Sequence, residues 1–518
     1  MQGGHNEVGV RVEGLREARM TEAREAVEEM FAWVVGPAGS LPLQRFDAGI
    51  HRRLMALGLA FVGLWLAYQV APDVPQTLRR GVGWYQFDAL RAAAVRTRYG
   101  VSWWQRPLYR LVHGAGDAAI TPADAAIGLA AGRMSLSVHL AAARLAARMP
   151  FAEAKGVMES FDEYAPATRS FHGIVDLLGP MATAHMNALP TPNDDGDVVV
   201  VEFDGKGIPH MTVQEHERRS KPHRNKKARG ARSTDRRERK RQRRALRKGR
   251  ERKKVGDKSK NARMATVAIV YTLRVLPDGT VEGPLNRRVF AQFSNPKNVA
   301  KLALADAKKR GYGTKESLFL ADGAPHLWQI WRRYFPLAKP CLDWYHLGEY
   351  VWDAASAVHG KDAPRVRAWA KARQGELMRG DVDAVLRKLT SAKKKIKDSD
   401  KGCKKRRKKL KKAIRYIGNH REMLCHYADL HKRGLTYGTG GVEGTIKHIA
   451  ARLDGCGMRW SKERAEHMLA LRCVLASGEW KDFEERVRTT HENADLGAVP
   501  RITPANRCTP HNAAKKAA

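Results

Sequence analysis

The chain has 518 residues, 43% of them hydrophobic, and carries 94 Lys and Arg against 54 Asp and Glu, a formal charge of +40. That length and apolar content leave room for three or four domains of about 150 residues with cores of their own, which excludes a small disulfide scaffold and a wholly disordered chain. The charge, with a pI near 10.3, points to a polyanionic partner. The six cysteines form no CxxC pair and read as reduced thiols of a cytoplasmic protein. Met1 to Val10 lacks the charged-then-apolar pattern of a signal peptide.

Residues 13–35 pattern as a helix that ends at Gly36-Pro37-Ala38-Gly39, and helical patterning resumes over 45–71. Within it, Leu54 to Ala71 is nearly all apolar and just reaches transmembrane length. Gly58, Gly63, Tyr68 and Gln69 interrupt the stretch, and it reads as a buried core helix, with no membrane partner. Residues 82–112, with Trp84, Tyr85, Trp103, Trp104 and Tyr109, suit a short β element. Helical patterning returns over 121–189. There, 141–161 and 165–178 are separated by Asp162-Glu163-Tyr164, and Thr168, Arg169, Ser170 and His172 open the second segment. This is a helix-turn-helix candidate; the plainer reading is two packed core helices.

From 197 the pattern changes. Strands are predicted at 197–203, 264–274 and 287–293, a helix at 296–311, a strand at 316–321, a helix at 325–335 and a strand at 338–343. Three strands in succession, then alternating helix and strand, indicate a mixed α/β sheet with helices on its faces. The order β-β-β-α-β-α-β is that of a ribonuclease H-like core. The predicted regions are 1–120 (helical with the β element), 121–190 (helix-turn-helix candidate), 191–355 (first part of the core), 356–435 (a basic helical insertion), 436–485 (closing helices of the core) and 486–518 (a flexible tail).

Two charge blocks interrupt the core. Residues 218–263 hold 24 Lys and Arg against 4 acidic residues, and 387–412 hold 15 against 2. Like-charged blocks are usually solvated and loose until a partner neutralises them. Their position between core elements favours contact with DNA phosphates, through Arg236, Arg237, Lys240, Arg241, Arg243 and Arg244 in the first block and Arg406 and Arg407 in the second. Such contact is salt-sensitive and blind to sequence.

The chemistry rests on carboxylates. The strand-like run Val198 to Phe203 leads into Asp204-Gly205, and Ser317 to Ala321 leads into Asp322-Gly323. Each Asp is expected where a buried strand meets its exit loop, the end of an α/β sheet where ligands bind. Asp before Gly is also a common turn former. Glu443, in Gly440-Gly441-Val442-Glu443-Gly444, opens a predicted helix, and in a ribonuclease H-like fold the last helix packs beside the central strands. Three carboxylates at one sheet end suit two Mg²⁺ ions, with Mn²⁺ as an alternative. Glu466, on a helix of 462–475, is the runner-up for the third position. Asp343 and His346 form a D-x-x-H pair after the last strand, accessory to the site or simply a helix cap. Lys206 reads as a phosphate contact or a surface turn residue, and Trp344 and Tyr345 as core packing or a stacking platform.

Several ordered motifs carry a family resemblance. Asp204-Gly205-Lys206-Gly207-Ile208-Pro209 resembles the first catalytic motif of bacterial insertion-sequence transposases of the DDE type, in particular the ISKra group. Lys260 to Tyr271 resembles that group's second strand, and Leu342 to Trp352 its segment after the second Asp. Gly441-Val442-Glu443-Gly444, Gly457-Met458-Arg459-Trp460-Ser461 and Ala465-Glu466 resemble its closing motif. The likeness covers about 197–480 and, more loosely, 45–190; it departs at Thr445-Ile446-Lys447-His448-Ile449.

The resemblance implies Asp204, Asp322 and Glu443 as a metal-binding triad. It implies cleavage of DNA at the element's terminal inverted repeats, then attack of the freed 3′-OH on target DNA. Double-stranded DNA would be the partner, the chain a homo-oligomer, and its location the cytoplasm, on the nucleoid. The alternatives are a ribonuclease H-like nuclease or resolvase without strand transfer, and a non-catalytic basic nucleic-acid-binding protein.

Overall fold

A computed structural model describes residues 3–129, 133–209, 211, 262–293, 296–399, 402–455, 458 and 460–493. The block 218–263, including Arg236, Arg237, Lys240, Arg241, Arg243 and Arg244, therefore lies outside the described residues, save for the backbone of 262–263. The chain divides into two compact units, 1–177 with 481–518, and 178–480.

The first unit opens with α1 (Gly3–Val35) and α2 (Leu43–Ala67). An antiparallel sheet follows, of β1 (Thr77–Arg80), β2 (Gly83–Thr97), β3 (Gly100–His113) and β4 (Ala119–Ile120), in that order. The expected short β element is thus a hairpin with strands of 15 and 14 residues. Cross-strand pairs such as Ala93 with Trp104 let the Ala- and Arg-rich run 89–96 extend where its local propensity is helical. Tyr85, Leu90, Ala93, Val95, Trp104 and Tyr109 form a core with Val12, Leu66, Val70 and Val74. The α2 helix is less covered than its composition suggests. Ala60, Gly63 and Leu66 are buried, whereas Phe61 and Trp65 are each 48% exposed. Among the described residues it is the one helix long and apolar enough to cross a membrane, by length and composition.

Short helices complete this unit: α3 (Pro122–Ala126), α4 (Leu136–Ala146), α5 (Phe151–Phe161) and the start of α6 (Ser170–Asn187). Pro150 breaks the expected 141–161 helix, because proline cannot donate its backbone N–H. Residues 162–169 then separate α5 from α6, where a helix-turn-helix needs a short turn. Thr168 and Arg169 precede α6, and His172 lies edge-on to Phe151 at 5.0 Å.

The second unit holds a five-stranded sheet of β5 (Val198–Pro209), β6 (Ala262–Val275), β7 (Val281–Gln292), β8 (Glu316–Ala321) and β9 (Lys339–Leu342). Their spatial order is β7-β6-β5-β8-β9. β6 is antiparallel to both neighbours, while β5, β8 and β9 run parallel. The near-continuous apolar run of β5, completely buried from Val198 to Phe203, is what a central strand covered on both faces requires. Two helices join the parallel strands, α7 (Pro296–Lys309) before β8 and α8 (Pro325–Tyr334) before β9. This order of strands and helices matches the sequence expectation.

Register shows that both faces are covered. Arg288 on β7 pairs with Val270, which pairs with Val201, and its guanidinium reaches Asp306 of α7 at 2.6 Å. The next residue of β5, Glu202, points to the opposite face. There a side chain at Gly441 would lie 3.3 Å from the Glu202 carboxylate.

After β9 come α9 (Trp344–His359), α10 (Ala363–Met378), α11 (Val382–Lys395), α12 (Cys403–Asn419) and α13 (Tyr427–Lys432). The sequence-predicted insertion is therefore helical, with α12 packed on α9 and α11. Then α14 (Gly440–Leu453) lies on β5 and β6, and α15 (Lys462–Ser477) on β7. The last helix among the described residues is α16 (Trp480–Asn493), which from Lys481 on is counted with the first unit.

The buried Arg310 fixes one end of this sheet. Its guanidinium donates twice to Asp195, at 2.8 and 2.7 Å, and to the backbone carbonyls of Val270, Leu285 and Asn286. That bidentate pair joins the segment entering β5 to β6 and β7.

Candidate functional site

The last registered pair of the parallel strands β5 and β8 is Phe203 with Ala321, and the last of β8 and β9 is Ala321 with Leu342. The residue following each of these is an aspartate: Asp204, Asp322 and Asp343. Three neighbouring parallel strands thus carry a carboxylate one residue past their common pairing level, at the carboxyl end of the sheet where open α/β folds bind ligands.

Their surroundings differ. Asp204 is partly exposed and does not stand at a strand end, as the sequence reading expected. β5 continues to Pro209 because β6 keeps pairing with it as far as Ala262. What ends at Asp204 is the pairing with β8, so Asp204-Gly205 is extended strand and no turn. Asp322 is also partly exposed; it follows β8 directly and accepts the backbone N–H of Ala324 at 2.9 Å.

Asp343 is completely buried. It caps α9, accepting the backbone N–H groups of Tyr345 and His346, and it also accepts the N–H of Thr439 at 2.9 Å and a hydrogen bond from the His346 ring. Burial pushes the Asp343 carboxyl up, but these hydrogen bonds and the charge of His346 outweigh it and leave the carboxyl below its usual range. Asp343 holds His346 protonated in turn: the shared hydrogen bond, opposed by partial burial and aided by the charges of Asp343, Asp322 and Glu349, raises the imidazole to about 9. Asp343 is therefore a clamp that favours the charged form of His346, to which the negative charge of Asp322 also contributes.

Glu443 lies in the first turn of α14; its side chain is outside the described residues. What the structure gives is the seat of that turn. Gly441 abuts Glu202, a carboxylate 1% exposed, which accepts a 2.6 Å hydrogen bond from the Tyr271 hydroxyl. By strand alternation Glu202 and Asp204 face the same side of β5, the side on which α14 begins. Glu202 was missed in the sequence reading. Its signal was present: a charged residue inside the run Val198 to Phe203 needs a buried partner.

Glu466 belongs to another region. It sits on α15 and accepts the backbone N–H of Phe293, just past β7, at 2.8 Å. Lys206 forms an ion pair with Asp454 at 3.1 Å. Trp344 packs edge-on to Tyr427 at 4.9 Å, whereas Tyr345 is 66% exposed. Arg406 donates to the carbonyls of Ala357 and Val358, closing the end of α9, and Arg407 pairs with Asp398. Both guanidinium groups make these contacts within the fold.

Among the described residues no three His, Cys, Asp or Glu side chains gather into a metal-sized group. The described cysteines, Cys341, Cys403, Cys425 and Cys473, are free thiols.

Residues 285–488 match the model of an uncharacterised protein family, UPF0236. No curated protein matches the chain. Among solved structures, the chain is similar to a Drosophila P element transposase strand transfer complex, at 9% identity over 69% of this chain and 81% of that one, with a TM-score of 0.24. A score that low does not fix a shared fold. Neither description names the ISKra group.

Proposed function

We propose that the chain is a DDE-type transposase, of the ISKra kind that its motifs resemble, which cleaves DNA at the terminal inverted repeats of an insertion sequence and joins the freed ends to target DNA. The observation that carries this reading is the pair Asp204 and Asp322, one residue past the same registered pair of two adjacent parallel strands. The strand order 3-2-1-4-5 with the second strand antiparallel supports a ribonuclease H-like core.

The residues fit a divalent metal in kind. Asp204 and Asp322 offer hard, partly exposed carboxylate oxygens, and α14 starts on the face of β5 that Asp204 shares with Glu202. Asp204 and Asp322 would hold the ions and Glu443 would complete the set. Two bound Mg²⁺ ions, or Mn²⁺, would supply Lewis-acid stabilisation of the attacking and leaving oxygens in an in-line phosphoryl transfer.

The other residues act on position and charge. Asp343 keeps the proton on His346 Nδ1, and the resulting cation partly offsets the strand-end carboxylates where a phosphodiester must approach. Asp343 also holds Thr439, and with it the start of α14. The basic block 218–263 interrupts the core between β5 and β6, and its Lys and Arg would neutralise DNA phosphates without reading sequence. Paired transposon ends call for a homo-oligomer.

A joining assay tests this reading. A labelled DNA end taken from the sequence flanking the gene should be transferred into a supercoiled plasmid in Mg²⁺ by the wild-type chain and not by Asp322→Asn. Cleavage without joined product would place the chain among nucleases or resolvases instead.

A further inference from the structure

Beside Asp322 the carboxyl end of the sheet opens into a cavity of about 530 Å³, within the roughly 300–1,000 Å³ of small-molecule sites. One wall is Gly323, the residue after Asp322, with the first turns of α8. The other is the last turns of α12, from the basic insertion. Helical spacing puts Lys412, Arg415, Tyr416 and Asn419 on one face of α12, and all four line the cavity. Lys412, Arg415 and Asn419 are exposed.

The aromatic groups are arranged around the same space. Tyr416 stacks on Tyr350 of α9, with ring centroids 3.9 Å apart and planes 10° from parallel. It also lies against Gly323, where an added Cβ would come within 2.2 Å of its ring. Trp328 of α8 is buried on the cavity wall, and its Nε1 has no hydrogen-bond partner. The indole therefore gives the cavity part of its apolar floor.

Stacked tyrosines, an amide and the exposed cations Arg332, Lys412 and Arg415 suit a flat heteroaromatic group with an attached phosphate. Base-on-aromatic stacking with a basic flank is how single-stranded nucleic acid is held. The cavity has the capacity of one nucleotide, whereas a stacked base pair presents no such unit.

We propose that this cavity is a subsite for one unpaired nucleotide of the DNA strand, with its base against Tyr350 and Tyr416 and its phosphate against Lys412 and Arg415. The proposal rests on the transposase reading for its substrate and deepens it. The subsite would hold the strand next to the phosphate that lies at Asp322, and it gives the helical insertion a task at the active site.

Photo-cross-linking tests it in the full-length chain without divalent metal. The probe is a short mixed-sequence single strand carrying 5-iododeoxyuridine in place of thymidine, with cross-linked peptides identified by mass spectrometry. Cross-links should map to the peptides holding Trp328, Tyr350 or Tyr416. The double variant Lys412→Glu/Arg415→Glu, changed only at exposed positions, should lower them roughly tenfold while sparing cross-links elsewhere. The same sequence as a perfect duplex should label the cavity far less.

Cross-links confined to other regions, labelling unchanged in the double variant, or equal labelling by duplex would each overturn the subsite. So would complete competition by a free nucleoside monophosphate at the oligonucleotide's own concentration, which would mark a site for free nucleotide. Because the assay needs no catalysis, cavity labelling in a protein that cleaves nothing would count against the transposase reading and leave the subsite standing. Cleavage with labelling elsewhere would do the reverse.

Discussion

The carboxylate of Asp343 accepts the backbone N–H of Thr439 at 2.9 Å, which ties the cap of one helix to the start of another 96 residues later in the chain. One side chain thereby fixes both the imidazolium of His346 and the approach to α14, the helix that carries Glu443. Asp343→Ala would strand several N–H donors in a buried place. It is expected to lower unfolding stability by about 2–4 kcal/mol, measured by urea denaturation, and to release His346 toward its ordinary pKa, measured by NMR titration. An unchanged denaturation midpoint would remove the clamp from the account.

Arg310 and Asp195 give a second stability prediction, with a pH signature. Burial pushes the Asp195 carboxyl up, but the hydrogen bonds from Arg310 and Thr272 and the charge of Arg310 prevail and hold it at about 2 against an ordinary 3.8. A carboxyl depressed on folding adds stability above its unfolded pKa, and that stability is lost as pH falls through the folded value. Acid unfolding of the wild type should therefore steepen between about pH 4 and pH 2. Arg310→Ala takes the cation from a buried carboxylate, which costs about 3–5 kcal/mol at neutral pH, and it should flatten that acid slope. Identical acid profiles for the two proteins would contradict the pairing.

Much of this was legible in the sequence, for a physical reason. A buried central strand must be a continuous apolar run, so Val198 to Phe203 and Ser317 to Ala321 announce themselves, and the punctuation by proline and glycine places α7 and α8 between strands. Position within a strand was less legible. Asp204-Gly205 reads locally as a turn, yet it is extended, because its partner β6 is supplied by residues more than fifty positions away. The β element over 82–112 was legible from its aromatics, but the length of its strands was not, because the cross-strand partners of the alanine-rich run 89–96 leave no local pattern. Glu202 was visible as a charge in an apolar run, but its neighbour Gly441 was not. The face of α12 near Asp322 was legible only as basic helix, because the fold decides which lysines and arginines stand beside Tyr416 at the rim of the cavity.

The third carboxylate can be decided by two substitutions of equal size. Glu466→Gln keeps an oxygen that can accept from Phe293, so DNA cleavage should stay within about threefold of wild type. Glu443→Gln should reduce it by roughly a hundredfold or more. The comparison is made by single-turnover cleavage in Mg²⁺. The opposite ranking would move the third ligand to α15 and contradict the assignment to α14.

Gly441 has no room to grow toward β5. A Cβ there lies 3.3 Å from both oxygens of Glu202, so Gly441→Val must displace either the buried carboxylate or the first turn of α14. A cleavage rate reduced by about tenfold or more is expected, with a circular-dichroism spectrum unchanged, and Gly444→Ala, where no neighbour lies within 4 Å, should be nearly neutral. Equal behaviour of the two variants would mean that the seat of α14 does not govern the site.

The central claim is that Asp204 and Asp322 together serve a phosphoryl-transfer centre. The direct measurement is cleavage of linear DNA carrying the gene's flanking sequence, by wild type, Asp204→Asn and Asp322→Asn, with DNA binding followed in parallel. The account predicts cleavage at a fixed phosphate that needs Mg²⁺ or Mn²⁺ and falls roughly a thousandfold in either variant, while affinity for the same DNA stays within about threefold. Cleavage that persists in both variants at the wild-type rate would contradict it.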